Sequence, residues 1–119
     1  MTLNISSNFY PYRLLLKRKD PVELKVQVVN TGEKPTMVSL HIALDRNLAF
    51  DKGGLKSAIM EKMDSLAPNE RKTFTYEVFA KGFAYPGTYP ILMKAMEHYQ
   101  TYRFADKEYT KNFDLVVAD

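Results

Sequence analysis

The sequence predicts an all-β fold, a seven-stranded antiparallel immunoglobulin-like sandwich. Three observations carry it. Apolar residues recur with a period of two in five separate segments. Clusters of glycine, proline and asparagine separate those segments. The turns that join them are short, the spacing of an antiparallel sandwich. The length, 119 residues, suits one domain spanning 1–119.

Tyr10 to Lys17 reads as a first strand, with Pro11 at an edge or a bulge because it has no N–H for a ladder. Lys17-Arg18-Lys19 then discourages edge-to-edge pairing. In "PVELKVQVVN", Val22, Leu24, Val26 and Val28 form one face. In "MVSLHIALD", Val38, Leu40, Ile42 and Leu44 alternate with Ser39, His41 and Ala43. Phe74, Tyr76 and Val78 do the same in "KTFTYEVFA", as do Tyr89, Ile91, Met93 and Ala95 in "TYPILMKAME". Phe113, Leu115 and Val117 close the series. Successive strand side chains point to opposite faces, so each run has a buried and a wetter side.

Residues 45–66 are ambiguous. Gly53-Gly54 breaks the stretch, and the segment from Leu55 to Leu66 fits either a short strand or one or two helical turns. A loop leading into a short strand is preferred, because the Pro68 turn feeds directly into the next strand.

Composition narrows the function classes. No cysteine is present, which excludes disulfides, thiolate metal sites and cysteine nucleophiles. The net charge of +3 is too mild and too dispersed for a nucleic-acid surface, so none is expected. No apolar run reaches the ~20 residues that span a bilayer, so no membrane partner is expected either. The start, "MTLNISSNFYPY", lacks the form of a secretory signal. A complete chain would therefore be cytoplasmic, and a domain excised from a larger secreted protein would be extracellular.

The order of features resembles the immunoglobulin-like modules of the CARDB (cell-adhesion-related) type over about residues 20 to 117. The matching elements are the Asn30-Thr31-Gly32 turn, Leu66-Ala67-Pro68 before a strand, and Pro86-Gly87-Thr88-Tyr89 before the last hairpin. The resemblance implies a spacer, adhesion or interaction role and supplies no catalytic residue.

The residues agree in giving no enzyme. His41 and His98 read as histidines on the sandwich surface, and Ser39 beside His41 is a repeating strand face rather than a triad. "MKAMEH" gathers Met93, Met96 and His98, donors that suit copper. On a strand, however, Met93 points away from the other two. A copper-handling sandwich is therefore a minor reading, and no metal or cofactor is expected.

The distinctive stretch is "EHYQTYRFADKEYTKNF", residues 97–113. It reads as a hairpin, turning at Ala105-Asp106-Lys107-Glu108, with Tyr109 opening the last strand. The other reading is a protruding, ring-rich loop. The two are compatible if the hairpin outruns the core. Tyrosine and arginine are enriched at interfaces. The candidate binding residues are therefore Tyr99, Tyr102, Arg103, Phe104, Asp106, Lys107 and Tyr109. They would bind a protein partner or a second copy, or else stack on a carbohydrate.

Overall fold

In the computed structural model, residues 3–17, 20–99, 101–103 and 105–119 are described. They form two packed sheets of nine strands. The strands are β1 (Leu3–Tyr10), β2 (Arg13–Leu15), β3 (Val22–Asn30), β4 (Thr36–Leu44), β5 (Leu48–Ala49), β6 (Ala58–Leu66), β7 (Arg71–Ala80), β8 (Gly87–His98) and β9 (Ala105–Ala118). One sheet has the order β1-β3-β7-β5, the other β2-β9-β8-β4-β6. The pairing is antiparallel except where β2 runs parallel to β9.

The sandwich class stands, and the count and the pairing are corrected. The expected strand from Tyr10 to Lys17 is replaced by two. β1 pairs with β3 and ends at Tyr10; β2 begins at Arg13 and pairs with β9 in the opposite sheet. The chain changes sheets around Pro11, where the missing N–H cannot continue a ladder. β1 is faint in the sequence because its inward row runs Leu3, Ile5, Ser7, Phe9, a weak apolar signal. Lys17 is exposed, and Arg18 and Lys19 lie outside the described residues.

The stretch 45–66 holds two strands and no helical turn. β5 is two buried residues laid against Ala80 and Phe79. A turn at Asp51–Gly54 comes next, where Gly54 has φ 76° and Asp51 Oδ1 accepts from the N–H groups of Leu55 and Lys56. β6 then runs for nine residues, not a short strand. A bulge explains the ambiguous period. Val38 pairs with Met63, but Thr36 pairs with Leu66, so β6 takes three steps where β4 takes two. Met63 and Leu66 both reach the core three residues apart, a spacing that the bulge gives to a strand and that otherwise belongs to a helix face.

The core is the interleaved apolar rows of both sheets. Leu24, Val26 and Val28 of β3 face Val38, Leu40 and Ile42 of β4, with Ile91, Met93 and Ala95 of β8 and Leu115 and Val117 of β9. Each of the larger side chains contributes about 1.5–3 kcal/mol on burial.

Strand directions give the molecule two ends along its 47 Å axis. The β3–β4, β6–β7 and β8–β9 connections lie at one end, here called the hairpin end. The β4–β6 and β7–β8 connections lie at the other.

Candidate functional site

The β8–β9 hairpin is real, but its turn is displaced. Asp106, Lys107 and Glu108 belong to β9, with Glu97 opposite Lys107 and Met96 opposite Glu108. The connection is instead residues 99–104, the ring-bearing part. The charges that suggested a turn are tolerated in a strand because β2 covers β9 only at Val116–Ala118. Along Asp106–Glu108 the strand is an exposed edge. His98 pairs with Ala105, so the register shifts between this pair and Glu97–Lys107 and leaves Asp106 as the extra residue of a bulge.

The seven sequence-derived candidates occupy different settings. Tyr99 is 75% exposed. Arg103, Asp106 and Lys107 are exposed beside it at the same end. Tyr102 is half-buried. Its hydroxyl donates to Asp64 Oδ1 at 2.6 Å, its ring meets His98 edge-on at 5.2 Å, and Lys62 Nζ lies 5.0 Å from its centre. Tyr109 is half-buried and packs against the core. Phe104 lies outside the described residues. A stacked carbohydrate would want a row of exposed coplanar rings, and among the described rings of the stretch Tyr99 is the exposed one.

Tyr102 thus braces the loop. Asp64 lies in the bulged part of β6, which aims its carboxylate across two strands. Burial and the Asp64 carboxylate push the Tyr102 phenol up to about 12.

Beneath Tyr102 lies a polar cluster that spacing alone did not reveal. Ser39 Oγ is 2.7 Å from His98 Nε2 and 3.3 Å from His41 Nε2. His98 is only 7% exposed, so the reading of both histidines as surface residues is corrected for it. The hairpin loop folds Tyr102 over it. His41 is half-buried, and burial first, then Lys94 and His98, holds its pKa below the ordinary histidine range. A buried Ser–His contact invites comparison with a nucleophilic pair. Ser39 is 2% exposed beneath two imidazoles, however, so a substrate carbonyl has no approach to its hydroxyl. The signal for the cluster was the polar phase Ser39–His41, but its link to His98 needs the β4–β8 register.

A second set of rings lies outside the stretch 97–113. Tyr10, Tyr12, Phe83 and Tyr85 are all exposed. Phe83 and Tyr85 lie on the β7–β8 connection, at the opposite end from the hairpin loop. A cleft of about 350 Å³, lined in part by Leu14, Phe79 and Ala84, opens at that end.

Among the described residues, no three His, Cys, Asp or Glu side chains converge as a metal site. Nor is any helix long and apolar enough to cross a membrane.

No family model and no curated protein sequence matches the chain. Solved structures do. A fragment of Escherichia coli alpha-2-macroglobulin, from domain MG7 to the C-terminus, superposes with a TM-score of 0.70 at 18% identity. The match covers 97% of this chain but only 16% of that one. The CARDB domain of a Pyrococcus furiosus protein, solved in complex with di-metal ions, gives 0.61 at 18% identity, covering 98% of this chain and 92% of that one. An alkylpurine DNA glycosylase of Pseudomonas fluorescens, bound to DNA containing an abasic site analogue, gives 0.54 at 12% identity, covering 99% and 31%. Three settings so different share an architecture rather than an activity. The likeness shows the fold alone, a β-sandwich.

Proposed function

We propose that the chain is a single, non-catalytic interaction domain that binds a protein partner through the hairpin end. The observation that supports this reading is the braced loop. Tyr102 is fixed by Asp64, His98 and Lys62, and three residues earlier Tyr99 stands 75% exposed. An exposed ring on a loop already held in place loses little conformational entropy on binding. Burial of Tyr99 supplies the apolar anchor. Arg103, Asp106 and Lys107 form the polar rim that selects the partner.

The test is affinity capture with three baits: wild type, Tyr99→Ser/Arg103→Ser, and Phe83→Ser/Tyr85→Ser. All the substituted residues are exposed, so the variants keep the fold, which circular dichroism checks. A partner held by wild type and by the second variant, and lost by the first, is the expected result. Loss with the second variant alone would move the site to the opposite end. Equal capture by all three would make the loop a framework turn.

A further inference from the structure

The outer face of the five-stranded sheet gathers an unusual set of donors. His41 and His98 direct their Nε2 atoms at one point, the Ser39 hydroxyl, from 3.3 and 2.7 Å. Residues directly opposite on paired strands share a face. Met96 lies opposite Ser39, Met60 opposite His41, and Met37 opposite His98. Two imidazoles and three methionines therefore share the face around one serine. Met93, grouped with Met96 and His98 by sequence, is buried in the core on the other face and takes no part.

We propose that this face is a Cu(I) site, with His41 Nε2, His98 Nε2 and the Met96 thioether as ligands and Met60 as the adjoining donor. The ion is set by the donor chemistry. The thioether decides the ion, because imidazole alone suits zinc as well as copper, whereas imidazole with thioether selects soft Cu(I) and calcium and magnesium want oxygen ligands. No group of three such hard or borderline ligands exists among the described residues. Lys62 and Lys94 occupy the same face, opposite Ser39 and His41. Their repulsion of a singly charged ion is half that of a divalent one. The serine explains the metal-free arrangement. Its single proton can be given to one Nε2 only, so the second ring must donate its own to share the hydroxyl. Copper replaces both hydrogen bonds by coordination and lets each ring present its lone pair. Access is from the His41 side, which is half-exposed, while Tyr102 closes over His98.

The experiment offers Cu(I) as its bicinchoninate complex to the full chain under anaerobic reducing conditions. The expected result is withdrawal of one Cu(I) per chain. X-ray absorption of the loaded protein should show nitrogen and sulfur together in the first shell. His41→Gln and Met96→Leu should each weaken binding by about tenfold or more. Both residues are half-buried, so both variants fold, as circular dichroism verifies. Ser39→Ala, which keeps both rings, should still bind. Failure to draw copper from the chelator overturns the proposal. So does unchanged affinity in the His41→Gln/Met96→Leu double variant, a first shell without sulfur, or equal competition by Zn(II).

Discussion

Asn30 and Leu66 stand 36 residues apart in the chain and are joined by a buried hydrogen bond of 2.8 Å from Asn30 Nδ2 to the Leu66 carbonyl. The same amide donates to the Lys34 carbonyl, and its Oδ1 accepts from the Gly32 N–H. The Asn30 backbone pairs with Glu70 and Asn69. One fully buried side chain therefore ties the β3–β4 turn to the β6–β7 turn, and so one sheet to the other. Asn30→Ala should cost about 2–3 kcal/mol, because it strands buried carbonyls without a donor. Asn30→Asp should cost a similar amount, since a carboxylate cannot donate to them. Thr36→Ala, which removes an exposed bond to Lys34, is the control and should change little. Urea unfolding measures all three, and a neutral Asn30→Ala would mean the turns hold without this link.

Two phenols make the fold sensitive to alkali. The Tyr76 hydroxyl donates to Glu61 Oε1 at 3.0 Å, and burial together with that carboxylate pushes its pKa well up. Tyr102 is raised to about 12 by burial and Asp64. Both are acids held neutral in the folded chain, whereas the unfolded chain ionises near 10. Stability is therefore complete below about pH 10 and declines as pH rises above it. Denaturation midpoints at pH 8, 9.5 and 11 should fall over that range. Tyr76→Phe should flatten the fall and lower the pH 8 midpoint slightly. An unchanged slope in Tyr76→Phe would show that other groups govern it.

The alternating strands could be read because each has one dry and one wet face. Leu24, Val26 and Val28, or Ile91, Met93 and Ala95, declare that difference residue by residue. What stayed hidden depends on partners in space. The inward row of β1 includes Ser7, whose hydroxyl is buried without a hydrogen bond, so its pattern looks polar. β6 hides behind a bulge that breaks its period at Asp64 and Ser65. Charge misplaced the hairpin turn, since Asp106–Glu108 looks like a loop until β2 is seen to leave that edge open. The candidate rings were legible as composition. That Tyr99 projects while Tyr102 turns inward was not, because Asp64, which holds the Tyr102 hydroxyl, lies on β6, 38 residues away in the chain.

His41 sets an acid limit. Burial, then Lys94 and His98, disfavours its charged form, so its pKa is lowered in the fold. The unfolded chain protonates near 6.5. The stabilising contribution is therefore whole above about pH 6.5 and is lost as pH falls below it toward the folded value. Thermal midpoints should decline between pH 7 and 5, before most carboxylates titrate near 4. His41→Gln should remove the part of the decline that lies closest to neutrality. If the variant tracks the wild-type curve throughout, the acid sensitivity belongs to other groups.

The long open edge of β6 needs protection, and Glu61 supplies it. β6 is the outer strand of its sheet, nine residues long, with only β4 beside it. Glu61 is opposite Leu40, a core residue, so its carboxylate is directed to the inner side, where Tyr76 of the other sheet donates to it. A charge pointing inward at an edge makes pairing with another chain costly, since the added strand would bury it. Glu61→Val keeps strand propensity and fills the inner row with Ile59 and Met63. It should leave the domain folded, with the loss of one half-buried hydrogen bond worth about 1 kcal/mol. It should also raise self-association, visible in sedimentation velocity as a concentration-dependent dimer or larger species that wild type lacks. Tyr76→Phe breaks the same bond but leaves the charge, so it should stay as monodisperse as wild type. Self-association of both variants alike would assign the effect to the lost bond, and of neither would show that the edge is guarded by its twist and its lysine instead.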